Sequence, residues 1–153
     1  MSNTWKQSAV HVVFAPKYRQ ALLLPSIREH VESHMAGKID GMDHQLMAIY
    51  AMPDHVHLLM AISMNMAPAM IMQVIKGETA HWINGQKLLP AHFEWQRGYR
   101  WFHISADRVP VVARYIRRQP EHHGQERFVD EDQRLMREQG VDFDPQYGFH
   151  EPL

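Results

Sequence analysis

Apolar positions along the chain change period several times, and the changes mark out its elements. Val10, Val12 and Phe14 alternate with His11 and Val13, the period-2 signature of a strand, which Pro16 closes. Ser26 can cap a helix over roughly residues 27–38, with Ile27, Val31 and Met35 on one face and Gly37 or Gly41 near its end. Gln45 to Met52 reads as a second strand, Pro53-Asp54 as a turn, and His55 to Ile62 as a third, more apolar strand. Pro68 suits the first position of a helix that runs to Asn84-Gly85 and buries Ile71, Val74, Ile75, Trp82 and Ile83. Residues 86–98 form a loop, Tyr99 to Ile104 a fourth strand, and Val109 to about Gln119 a third helix that should end or kink before Pro120. The first six elements give the βαββαβ order of a ferredoxin-like α+β fold, an antiparallel sheet with helices on one face. A C-terminal helix and a polar, acidic tail follow, with room for one short helix near residues 130–139. The expected division is a body over residues 1–125 and a tail over 126–153.

The third strand opens with "PDHVHLL", residues 53–59. Alternate side chains on a strand share a face, so His55 and His57 project together while Val56 turns away. Two imidazoles aimed at one point can hold a metal ion, or they are two polar residues that happen to alternate.

Composition narrows the classes. There is no cysteine, which removes disulfides and thiolate metal sites and fits a reducing compartment, the cytoplasm. The first residues lack the apolar core of a signal peptide, and the Met- and Ala-rich stretch 58–75 is broken by Ser63, Asn65, Pro68 and Gln73, so no membrane span is expected. The net charge of −1 argues against a nucleic-acid partner until its distribution is read. Residues 1–118 carry 13 Lys and Arg against 8 Asp and Glu, while residues 119–153 carry 3 against 9. A basic body can attract a phosphate backbone locally despite an acidic tail; ordinary solvated faces would show the same counts.

The third helix carries further chemistry. Tyr115 and Gln119 are four apart and so lie on one side of a helix, with Cβ atoms roughly 5–6 Å apart. A phenol can attack an electrophile, and an amide oxygen can complete a hard-metal site begun by two histidines. Two nitrogens and a neutral oxygen suit Mg²⁺ or Mn²⁺, Mn²⁺ fitting imidazole more easily. The ion would polarise a phosphate, and arginines of the same helix could hold its neighbours. Taken singly, Tyr115 is an ordinary core or surface tyrosine, and Gln119 carries no signal. His122 and His123 read as solvated tail residues that could compete as ligands, and Trp95, Tyr99, Trp101 and Phe102 as core and sheet residues that could stack on bases. Only the combination is specific.

That combination resembles the small single-tyrosine HUH (His-hydrophobic-His) transposases of bacterial insertion sequences, the IS200-like transposases. The matching stretches are Ala15-Pro16-Lys17-Tyr18-Arg19, Met52-Pro53-Asp54-His55-Val56-His57-Leu58, Lys76-Gly77-Glu78-Thr79, Trp95-Gln96-Arg97-Gly98-Tyr99 and Tyr115-Ile116-Arg117-Arg118-Gln119, in order over roughly residues 8–125. The resemblance implies a ferredoxin-like fold and a homodimer with composite active sites. It also implies cleavage of single-stranded DNA at hairpin-bearing ends through a 5′-phosphotyrosine link. Carried over by position, Tyr115 is the nucleophile, and His55, His57 and Gln119 hold the divalent metal. Lys17, Arg19, Lys76, Arg97, Arg114 and Arg118 are the expected DNA contacts. Pro120 and the acidic tail depart from the family pattern. Other classes compatible with the chain are a domesticated relative processing repeat hairpins, a catalytically silent DNA-binding relative, and a metal-dependent phosphoesterase; the last would need no helix tyrosine.

Overall fold

A computed structural model describes residues 8–140. Strands β1 (Ser8–Phe14), β2 (Gln45–Met52), β3 (His55–Ile62) and β4 (Arg100–Ile104) form one antiparallel sheet in the order β2-β3-β1-β4. This is the ferredoxin-like order, and it puts β3 and β1, the two most apolar strands, in the middle. The register pairs Val13 with His57 and His11 with Leu59, so these four side chains share one face.

On the opposite face, Val10, Val12, Phe14, Val56, Leu58, Met60 and Ile62 pack against helix α1 (Pro25–Gly41) and helix α2 (Pro68–Gly85). Both helices start with proline in the first turn, where its missing N–H costs nothing. From α1 come Ile27, Val31, Met35 and Ile39, and from α2 Ile71, Met72, Ile75 and Ile83, at helical spacing. The helix expected from residue 27 starts two residues earlier, at Pro25.

The other face is covered too, which the expectation of helices on one face only half describes. Helix α3 (Val109–Arg117) lays Val112, Ala113 and Ile116 against Ala48 and Leu59. The break before Pro120 lies at Arg118 (φ −100°, ψ 21°), and Gln119 opens a separate turn, α4 (Gln119–His122). Helix α5 (Phe128–Glu138) lies within the expected tail and is packed on the sheet, with Phe128 and Leu135 joining Val13, Ala15 and Phe102. Arg100 of β4 fastens it, its Nε and Nη2 donating to the two carboxylate oxygens of Asp132 at 2.8 and 2.9 Å. The tail beyond residue 140 lies outside the described residues. No helix among the described residues is long and apolar enough to cross a membrane.

Candidate metal and nucleophile site

Because β3 is hydrogen-bonded on both sides, His55 and His57 stand on the most constrained strand of the sheet, and both are fully buried. Each is oriented from behind. His55 Nδ1 is 2.7 Å from Asp54 Oδ1, so its ring N–H on that side serves the carboxylate and Nε2 faces the site. Asp54 receives Arg19 Nη2 at 3.4 Å. His57 Nδ1 is 2.8 Å from Nε2 of His11, a buried histidine on β1 that the alternation of that strand sends to the same face. Burial, then the neighbouring His57, depresses the His11 pKa to about 3, so this ring stays neutral.

Gln119 is also fully buried, and its Oε1 lies 3.1 Å from His55 Nε2. Two residues beyond the resemblance complete the group. Glu131 of α5, itself fully buried, places Oε1 at 3.0 Å from His57 Nε2, 3.0 Å from His123 Nε2 and 3.5 Å from His55 Nε2. Its other oxygen, Oε2, accepts from Gln119 Nε2 at 3.1 Å and from the Tyr115 hydroxyl. Burial would raise the Glu131 carboxyl, but His57, then hydrogen bonds from His123 and His57, hold it far below the usual carboxylate range. His123 is drawn upward: burial opposes its charge, and the bond to Glu131 outweighs burial. The expectation of solvated tail histidines fails here, since His123 belongs to the cluster and His122 Nε2 sits 2.6 Å from Glu126 and 3.6 Å from Glu131 Oε2. Ligand atoms of His55, His57, His123 and Glu131 all lie within 4.8 Å of one another, a group able to hold a metal ion.

The half-buried Tyr115 accepts Arg134 Nη2 at 2.8 Å, so its oxygen has a cation on one side and a carboxylate on the other. Burial, then the charge of Glu131, raises the phenol well above its ordinary value. Within this one chain the tyrosine and glutamine turn inward, onto its own histidines. A cavity of about 310 Å³, lined by His11, Phe102, Arg108, Val112 and Arg134, opens on Tyr115.

The expected DNA contacts divide. Lys17 and Arg97 border a groove of about 760 Å³ with Lys76, His81, His92 and Trp95. Lys17 is paired with Glu94 at 2.9 Å. Lys76 is turned partly inward, donating to the carbonyls of Gln96 at 2.8 Å and Gly98 at 3.0 Å, and burial lowers its pKa to about 8. Gly98 has φ +86°, a conformation that favours glycine and bends this carbonyl into reach. Arg114 and Arg118 are exposed beside Tyr115 and His122 around a shallow depression. Arg19 is a correction: it is 3% exposed, bonded to Asp54 and lies 4.8 Å from the Phe128 ring, so it supports the site from within. Left-handed backbone at Tyr18 and Arg19 (φ 57° and 52°) turns it there. Of the aromatic residues, Phe102 is buried, and Trp95 packs between Phe14 and Phe93.

Sequence reasoning missed Glu131, Arg134 and His11. The first two sit in a helix whose apolar stripe is short, Phe128 and Leu135 with Met136 beside them, and the third is one histidine in an apolar strand.

Comparison with known structures places this fold. A candidate transposase of Deinococcus radiodurans R1 superimposes with a TM-score of 0.63 at 20% identity, over 78% of this chain and 95% of that one. A REP-associated tyrosine transposase bound to a REP hairpin superimposes with a TM-score of 0.62 at 17% identity, over 82% of this chain and 76% of that one. No match was found among curated protein sequences. The family model described as "Transposase IS200 like" matches residues 4–119, which include the paired histidines, the helix tyrosine and the glutamine, and the chain therefore belongs to the IS200-like transposase family.

Proposed function

We propose that this transposase nicks and rejoins single-stranded DNA at insertion-sequence ends, with Tyr115 as nucleophile. The Tyr115 hydroxyl gives up its proton as its oxygen bonds to phosphorus, the bond from phosphorus to the 3′ oxygen breaks, and that oxygen takes up a proton and leaves as a free 3′-hydroxyl. The 5′ side stays on the enzyme as a phosphotyrosine ester, which keeps the bond energy for rejoining. Attack of the 3′-hydroxyl of a second strand reverses the step.

One observation carries the reading. His55, His57, Gln119 and the Tyr115 hydroxyl, scattered over 64 positions of sequence, converge on one carboxylate. The donor set fits a divalent cation. His55 Nε2 and Gln119 Oε1 lie 3.1 Å apart with His57 Nε2 on the same carboxylate, so two imidazole nitrogens and a neutral oxygen are gathered at one spot, a donor set that suits a hard to borderline dication. His55, His57 and Gln119 would hold Mg²⁺ or Mn²⁺, which supplies Lewis-acid polarisation of the scissile phosphate. Arg134 supports the developing phenolate or ester oxygen, and exposed Arg114 and Arg118 lie where flanking phosphates would run.

A REP hairpin is what one structural relative binds, which favours hairpin DNA as the partner here and keeps a repeat-processing enzyme with the same chemistry as the second reading. Contacts among His55, Gln119, Glu131 and Tyr115 of one chain support a site complete within that chain, whether or not two chains pair. Incubating the protein and Mn²⁺ with a hairpin-flanked oligonucleotide, then denaturing, should yield a covalent protein–DNA band. Tyr115→Phe should lose that band and retain DNA binding. A band surviving in the Tyr115→Phe protein would assign the nucleophile elsewhere and defeat the reading.

A further inference from the structure

We propose that Glu131 is a protein ligand to the same metal ion, so that helix α5 is fastened over the sheet through the metal. The inference rests on the metal-assisted reading above and extends it to a segment outside the stretch that the family model matches.

Three observations carry it. The first is spacing. An ion bonded at about 2.1 Å to neighbouring ligands at right angles sets those ligands about 3.0 Å apart. His57 Nε2 to Glu131 Oε1 is 3.0 Å, His123 Nε2 to the same oxygen 3.0 Å, and His55 Nε2 to Gln119 Oε1 3.1 Å. These are edges suited to one coordination shell, with Oε1 among the imidazole nitrogens. The second is charge. His55, His57 and Gln119 are fully buried and neutral as ligands, so a dication held by them alone would have no negative ligand, only Asp54 behind the His55 ring. Glu131 is the fully buried carboxylate beside them, and it supplies one. The third is the division of labour between its oxygens: Oε1 faces the imidazoles, while Oε2 faces the Tyr115 hydroxyl and the Gln119 amide. One side chain thus bridges the ion site and the nucleophile. His123, on the same oxygen, rounds off the group, and the Arg100–Asp132 fork holds α5 in register with it.

A ligand on α5 makes metal binding and closure of that helix one event, because whatever binds only the closed form stabilises it. The test uses the full chain without DNA. Mn²⁺ affinity is read by the loss of free-ion electron paramagnetic resonance signal for the wild type, Glu131→Gln and His55→Ala. Hydrogen exchange of residues 128–138 in the wild type is read with and without Mn²⁺. Outer-shell partners of metals are worth 10–100-fold in affinity, so loss of a direct charged ligand should weaken Mn²⁺ at least about tenfold. Mn²⁺ should also slow exchange in α5. Unchanged or tighter binding by Glu131→Gln, with His55→Ala impaired, would overturn this inference and leave the metal reading intact. Faster α5 exchange on adding Mn²⁺ would also overturn it, since Glu131 would then be a competitor for the site. If His55→Ala binds Mn²⁺ like the wild type, the metal reading falls and this inference with it.

Discussion

The ring of Phe128 lies flat on the ring of His55, centroids 4.1 Å apart and planes within 6° of parallel. A residue from the acidic tail thereby forms the wall of the histidine site, with the Arg19 guanidinium also at its ring. Truncation should be felt in both fold and site. Phe128→Ala should cost about 3–5 kcal/mol in urea unfolding and raise hydrogen exchange across residues 128–138. A variant as stable as the wild type would show that α5 contributes little to the packed state.

Asp54 sets the tautomer of His55 through the 2.7 Å contact to Nδ1. Asp54→Ala should therefore weaken Mn²⁺ by about 10–100-fold while the histidines stay in place. Calorimetric titration checks this, and equal affinity would mean that the ring needs no partner behind it.

Mixing tests whether the site is self-contained. A His55→Ala, His57→Ala chain and a Tyr115→Phe chain should each lack cleavage, and their mixture should stay inactive because each chain needs its own histidines and tyrosine. Recovered cleavage after confirmed subunit exchange would establish composite sites across a two-fold interface.

His11 makes stability depend on acid. Its folded pKa of about 3 lies below the ordinary 6.5, so its neutral form is fully favoured above pH 6.5. That contribution is lost as pH falls from 6.5 toward 3, where only the unfolded chain takes up the proton. At pH 5 the loss is about 2 kcal/mol. In chelator, the stability gap between wild type and His11→Gln should shift by this amount between pH 7.5 and pH 5. A constant gap would mean that His11 takes up protons alike in both states.

The basic residues should behave unequally. Arg97→Ala should weaken binding of hairpin DNA across sequences and reduce the slope of log affinity against log salt by about one. Arg19→Ala should lower thermal stability, since that side chain is buried against Asp54 and Phe128. If Arg19→Ala changes the salt slope by as much as Arg97→Ala, its interior role is wrong.

The strands were legible because alternation in β1 and the "PDHVHLL" run of β3 is a local property, and the pairing of His55 with His57 needs no tertiary information. Tyr115 and Gln119 were found by helical spacing, yet they meet across the break at Arg118, so a continuous helix was the right clue with the wrong geometry. His11 becomes visible only through register, since pairing of Val13 with His57 sets His11 diagonally beside it. Glu131 and Asp132 are buried by partners distant in sequence, His57 and Arg100, and so they looked like solvent-facing acids. Buried charge has no local signature when its compensation comes from another element.

The sheet order gives the site two mechanical characters. His55 and His57 sit on a strand gripped from both sides, so they form an anvil that cannot shift without unzipping the sheet. The tyrosine, the glutamine and the glutamate ride on three successive short helices with joints at Arg118 and before Arg127. Any stroke in a cutting and rejoining cycle therefore belongs to the helices. In the proposed reaction, the groups on the jointed half would be set against imidazoles that the sheet holds in place.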